Sequence, residues 1–269
     1  MAESAFDRTR FQARLATRRL GRSLITRAEV ESTNDVAWEL IGAGAPDGAC
    51  VIADVQTRGR GRAGRAWSTT PGKGLALSLL LVPGCERRRL GAIPLVAGLA
   101  LARALEGLGA DAELKWPNDL LLAGRKVSGI LAESRHTPEG GDAVVLGVGV
   151  NVAQSPEDFP DALRASATSL AMEGCDTTRE EVAGEFLNAL EPLWAEQQEG
   201  DGRAVLRAWR ARAGFWGREL RVVTSEGVVS GVARDLDDNG ALVLERHGRL
   251  VTVLAGDVEI TPARAEARP

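Results

Sequence analysis

Histidine and cysteine are scarce in this chain, with two of the first and three of the second in 269 residues. His136 and His247 are too few for a histidine-rich metal centre. Cys50, Cys85 and Cys175 are far apart, odd in number and without a CxxC pair. That excludes a disulfide framework and a zinc site, and points to a reducing, cytoplasmic compartment. No run of about 18 apolar residues stands out, so no membrane span is expected. A basic excess is missing too: the formal net charge is −4, whereas nucleic-acid binders usually carry a surplus of Lys and Arg. There is also no obvious Ser/His/Asp or Cys/His arrangement of the kind that serves covalent catalysis.

What is present is an ordinary globular composition, 44% hydrophobic and 26% charged, long enough for one large domain or a medium one plus a small one. The first 27 residues hold seven arginines. They resemble a transit peptide in part, but Phe11, Leu15 and Leu20 suit a helix docked on the body better. A strand is expected over Leu24–Val30, then a helix to about Ile41 capped by Ser32, Thr33 or Asn34. Further strands are expected over Cys50–Val55, Leu75–Val82 and 143–152, with a long apolar helix over Leu90–Leu108 between them. "ELKWPNDLLLAGRKVSGILAES" reads as two strands around an Ala-Gly-Arg turn, and residues 178–212 as two amphipathic helices. After Gly214, short alternating strands separated by Glu-Gly, Asn-Gly, His-Gly and Ala-Gly turns suggest a small barrel, followed by a loose tail.

The stretch "QTRGRGRAGRAW", residues 56–67, concentrates four arginines and three glycines. Gly59 to Gly64 fits the dinucleotide pattern GxGxxG, but Thr69-Thr70-Pro71-Gly72 follows instead of the helix whose N–H groups would hold a pyrophosphate. The P-loop pattern fails as well, since Arg65 and Ala66 replace the lysine and the hydroxyl. Single-stranded nucleic-acid binding needs several stacking rings, and Trp67 stands alone. Glycines interspersed with like charges predict a loop that orders around an anion.

Four motifs in order, "ESTND", "QTRGRGRAGRAW", "KWPNDLLLAGRKVSGIL" and "VLGVGVNV", together with "GVARDLDDNGALVLE", resemble the biotin–protein ligases. The resemblance covers roughly residues 24–262. It implies an α+β fold: a mixed-sheet catalytic domain over 1–213, an SH3-like all-β domain over 214–262, and a tail over 263–269. It implies activation of biotin by ATP and Mg2+ to biotinyl-5′-AMP, then transfer to a lysine of a biotin carboxyl carrier domain. By the same resemblance, Ser32, Thr33, Asn34, Gln56, Gly59, Arg60 and Gly61 lie at the biotin end. Gly129, Gly147 and Gly149 would let biotin lie against the strands. Arg60 and Arg62 would hold phosphate, with Ala63 where the family can carry a further arginine. Lys126 would meet the biotin carboxylate and the α-phosphate, giving it, Arg62 and Asp119 the catalytic roles. Trp67, Lys115, Asn118 and Asn151 fall to the adenylate, and Asp119 also to magnesium. Only 30 residues precede "ESTND", too few for the DNA-binding module that some members carry, so no DNA partner is expected; the lack of a long apolar run likewise leaves no membrane partner expected. A homodimer stays open. Lipoate–protein ligation and single-stranded nucleic-acid binding are the rival readings.

Overall fold

The computed structural model describes residues 4–84, 87–137, 140–200 and 202–260, so Cys85 and the tail lie outside the described residues. Seven strands form a mixed sheet in the order β1 (Leu24–Val30), β2 (Cys50–Gln56), β3 (Gly74–Leu81), β7 (Asp142–Asn151), β6 (Arg125–His136), β5 (Asp119–Leu122) and β4 (Glu113–Lys115). β1 and β2 run parallel, and every other pairing is antiparallel. β2, β3 and β7 read as nearly unbroken apolar runs because helices or the site cover both faces. On one face lie α3 (Ile93–Gly107) and α4 (Arg179–Glu199), with Leu99, Leu105, Phe186 and Trp194 buried. α2 (Thr33–Gly42) covers the other through Ala37 against Val51 and Val145.

The segment after Ala112 makes three strands rather than two: β4 (Glu113–Lys115), β5 (Asp119–Leu122) and β6 (Arg125–His136). Trp116 and a cis Trp116–Pro117 bond separate the first two. Ala123 and Gly124, both at positive φ, close the two-residue turn between β5 and β6. The expectation of no long apolar run is also corrected. Residues 89–107 form a helical stretch long and apolar enough, by length and composition, to cross a membrane. Its apolar side chains are instead spent on the core, with eleven residues of α3 buried.

The N-terminal helix α1 (Arg8–Arg14) docks as expected, burying Phe11, while Leu15 and Leu20 beyond it are buried too. Close by, Arg179 at the start of α4 donates to Asp54 Oδ1 at 2.7 Å, and the Ala5 N–H donates to Oδ2 at 2.7 Å. Both charged side chains are under 10% exposed. Arg179→Ala would leave that carboxylate buried without its cation and is expected to cost about 3–5 kcal/mol. Thermal melts should show a midpoint lower by roughly 8–15 °C, and an unchanged midpoint would refute the pairing.

Beyond α5 (Arg203–Arg210) come β8 (Glu219–Thr224), β9 (Gly227–Leu236), β10 (Leu242–Arg246), β11 (Arg249–Val253) and β12 (Asp257–Ile260), which form an antiparallel sheet in the order β11-β10-β9-β8-β12. The expected small all-β domain is present, with β11 and β12 at the two ends of the strand order. Three of the four expected turns carry positive φ, at Gly227, Gly240 and the His247-Gly248 pair, while Gly256 of the Ala-Gly turn does not. Trp209, Phe215 and Trp216 cluster at the junction, with ring centroids 4.6–6.4 Å apart.

Candidate functional site

On the α2 face, register sets small residues side by side. Ala76, Gly149 and Gly129 form one row across β3, β7 and β6, and Ser78, Gly147 and Leu131 form the next. Apart from Ser78, the residues of these rows line a cavity of about 410 Å3. All the residues singled out from the sequence line it except Gly59. Ser32, Thr33, Asn34 and Gln56 are in the wall, with Lys115, Asn118, Asp119, Lys126 and Asn151.

Ser32 opens α2 with its backbone, not with a side-chain cap. The Thr33 amide donates to Gln56 Oε1 at 2.9 Å, and Ser78 Oγ lies 2.7 Å from Thr33 Oγ1 and 2.6 Å from Asn34 Oδ1. A Cβ at Gly147 would sit 2.5 Å from Asn34 Oδ1, and one at Gly149 would sit 2.3 Å from the Trp67 ring. The close approach these glycines permit is therefore made by Asn34 and Trp67. Gly59 is buried and away from the cavity wall. Its carbonyl accepts from the Trp67 amide at 2.8 Å, and a Cβ there would meet the Trp67 carbonyl at 2.4 Å. Gly59 thus closes the loop through its backbone.

The arginine loop owes its order to protein groups, not to an anion alone. Arg58 pairs with Glu31, Arg60 bidentately with Asp35 at 2.6 and 2.7 Å, and Arg65 with Asp257 of β12 at 2.5 Å. These carboxylates offset the expected repulsion among the guanidiniums. The Arg60 guanidinium holds the Asp35 carboxyl below the usual carboxylate range. Arg62 differs from its three neighbours. It has no carboxylate partner among the described residues, only Asn118 Oδ1 at 3.5 Å, and burial pulls its pKa below the ordinary arginine value. Ala63, at the tip, adopts positive φ.

Across the cavity, Lys126 Nζ lies 2.6 Å from Asp119 Oδ1 and 5.8 Å from the centre of the Trp67 ring. Lys115 has no ion pair among the described residues. Asn118 is turned inward, donating to the Ile130 carbonyl at 2.7 Å. Asn151 is similarly spent: it donates to the Thr168 carbonyl at 2.9 Å and accepts from Gln154 at 3.3 Å. Its amide holds the chain crossing over the cavity, with one N–H and one lone pair left uncommitted.

A pocket lined by both neutral hydrogen-bonding groups and cations suits a neutral polar ring joined to an anion. The comparisons with known proteins agree. Residues 27–151 match the Biotin/lipoate A/B protein ligase family, and residues 215–260 match the Biotin protein ligase C terminal domain. Over 245 residues the chain is 38% identical to the biotin–[acetyl-CoA-carboxylase] ligase of Mycobacterium tuberculosis, covering 88% of each protein. The chain belongs to the biotin–protein ligase family. The bifunctional ligase/repressor BirA of Bacillus subtilis is 34% identical over 248 residues, 91% of this chain and 76% of the relative. The biotin protein ligase from Aquifex aeolicus, in complex with biotin and ATP, superposes with a TM-score of 0.75 at 30% identity, covering 89% and 99%.

Several wall residues of this ligase escaped sequence reasoning. Phe159, Pro160, Leu163, Ser166 and Ala167 come from a crossing segment after β7. The Lys126 amide donates to Ser166, and Thr168 donates back to the Lys126 carbonyl. These bonds join positions about forty residues apart, and "DFPDALRASA" carries no periodicity that announces them. Asp158 anchors the segment to Lys73 at 2.6 Å, and that lysine holds its carboxyl down at about 2.

Proposed function

We propose that this ligase joins biotin to a lysine of a biotin carboxyl carrier domain by way of biotinyl-5′-AMP. The biotin carboxylate attacks the α-phosphorus of ATP and pyrophosphate leaves. The carrier lysine amine then attacks the anhydride carbonyl and AMP leaves. The observation that carries the reading is that Lys126 and Arg62 line one cavity together with Thr33, Asn34 and Gln56. A ureido ring needs neutral donors and acceptors, which hydroxyl and amide side chains supply. Two anions that must react need cations between them. Lys126 is placed to bridge the carboxylate and the α-phosphate, with Arg62 on the phosphate and Lys115 beside it.

Magnesium belongs to the ATP substrate. Asp119 is the one carboxylate of the cavity wall among the described residues, and its Oδ1 is in contact with Lys126. No group of three potential metal ligands occurs among the described residues. That donor set does not fit a resident ion, so Asp119 is assigned to holding Lys126. The buried, unpaired thiols of Cys50 and Cys175 favour a reducing, cytoplasmic setting.

Biotin-dependent ATP–pyrophosphate exchange by the purified chain tests the function, with lipoate as competitor. Exchange driven by lipoate and not by biotin would overturn it. Trp67 is assigned to the nucleotide. Gly149→Ala must push its ring off the strand, an overpacking worth about 1–3 kcal/mol, and the KM for ATP should rise roughly tenfold. An unchanged KM in the folded variant would remove Trp67 from that role.

A further inference from the structure

Glu133 stands outside the wall of this cavity and lines its neighbour. In register it lies beside Val145, one row beyond Gly147 and Leu131. Its Oε2 accepts from Asn34 Nδ2 at 3.0 Å and from Trp38 Nε1 at 3.1 Å. An ionised carboxylate has no proton to give, so Asn34 must turn its NH2 towards Glu133 and its oxygen away. That oxygen faces Ser78 Oγ, which also touches Thr33 Oγ1. Asn34 Oδ1 carries no proton. The single Ser78 proton therefore goes to Asn34, and the Thr33 hydroxyl proton goes to Ser78. Thr33 Oγ1 keeps both lone pairs for other donors.

Reversing the Asn34 amide would run the same chain backwards. Asn34 would donate to Ser78, Ser78 to Thr33, and Thr33 to Gln56 Oε1, which lies 3.0 Å away. The distances alone permit both directions, and the Glu133 carboxylate selects between them. The selection matters because a ureido ring has two N–H donors and one carbonyl, so the wall must offer an acceptor to its N–H side. Building on the ligase reading, we propose that Glu133 is a positioning residue for biotin. Acting from outside the cavity, it fixes the Asn34 amide and, through Ser78, makes the Thr33 hydroxyl an acceptor for a ureido N–H. Arg60 Nη2 is 3.7 Å from Glu133 Oε1 but keeps its bidentate pair with Asp35. The arginine loop thus stays latched when Glu133 is changed.

The test is steady-state pyrophosphate exchange by the full chain, with KM for biotin and ATP, kcat, and a thermal melt for each variant. Glu133→Leu should raise the biotin KM about ten- to hundredfold, the loss expected for a charge-assisted hydrogen bond. Its kcat at saturating biotin and its ATP KM should stay within about threefold. Glu133→Gln keeps an oxygen for Asn34 and Trp38 and should restore the biotin KM to within about threefold of wild type. Ser78→Ala cuts the chain one link further on and should raise the biotin KM in the same way. The double variant should be no worse than the poorer single one, as for residues in one network. A folded Glu133→Leu with unchanged biotin KM overturns the inference, as do additive effects in the double variant. Should Glu133→Leu not fold, Ser78→Ala decides alone, and an unchanged biotin KM there overturns it. Wild-type protein without biotin-dependent exchange would sink the ligase reading itself, a separate result.

Discussion

Lys126→Ala is expected to lower biotin-dependent pyrophosphate exchange by about 10²–10³-fold, the scale seen when one preorganised charge-stabilising donor is removed from an active site. Two effects act together. The variant loses the cation between carboxylate and α-phosphate, and it also bares Asp119, whose Oδ1 has no hydrogen bond besides its contact with Lys126. A second negative charge then faces two anionic substrates. The double variant Lys126→Ala/Asp119→Asn should therefore recover part of the lost rate. The fold should survive, because the Lys126 backbone keeps its bonds to Ser166 and Thr168. Its side chain is also one-third exposed, so its loss opens no core cavity. Near-wild-type exchange in a folded Lys126→Ala protein would remove the residue from the chemistry.

Arg62→Gly should spare synthesis of the acyl-adenylate more than its retention. Its neighbours Arg58, Arg60 and Arg65 are neutralised by carboxylates of the protein, while Arg62 is desolvated, with Asn118 Oδ1 at 3.5 Å and the Asp257 and Asp119 carboxylates acting on it without forming an ion pair. Such a guanidinium gains most from a phosphate. Losing one charge-assisted contact removes roughly 1.5–3 kcal/mol, or about ten- to a hundredfold in residence time. A glycine also loosens a loop already turning through Ala63 and Gly64 at positive φ. The Arg65–Asp257 pair should still hold the far end of the loop. Freed biotinyl-5′-AMP is a mixed anhydride that acylates exposed amines. Incubation with ATP, biotin and an unrelated protein, followed by a biotin blot, should show more labelling of the bystander than wild type gives. Equal labelling while adenylate still forms would mean that Arg62 does not gate the intermediate.

Much of the architecture could be read in the chain because its causes are local. β2, β3 and β7 are apolar over their lengths, the C-terminal turns carry glycine where φ must be positive, and Phe11, Leu15 and Leu20 announce an N-terminal dock. The sequence shows two strands where the structure has three from Glu113 to His136, because the break at Trp116-Pro117 is short and apolar residues flank it. Most of the candidate site was legible for another reason. Ser32 to Asn34, Gln56, Arg60 to Arg62 and Lys126 lie in compact motifs, and nearly all of them reach one cavity.

Tertiary structure alone decided how those residues divide the work. Four arginines in one loop are alike as letters. Arg62 is distinguished only because Glu31, Asp35 and Asp257 arrive beside the other three from separate elements. Three strand glycines suggested room for a ligand, yet strand register and the path of the loop bring Trp67 and Asn34 into that room. Asn151 reads as a free amide until Thr168 and Gln154 fold onto it. Local propensity and motif spacing set which chemistry the chain carries. Pairing of charge and satisfaction of buried hydrogen bonds depend on partners up to 192 positions away, as between Arg65 and Asp257. Those interactions fall off within a few ångströms, so only the folded chain assigns them.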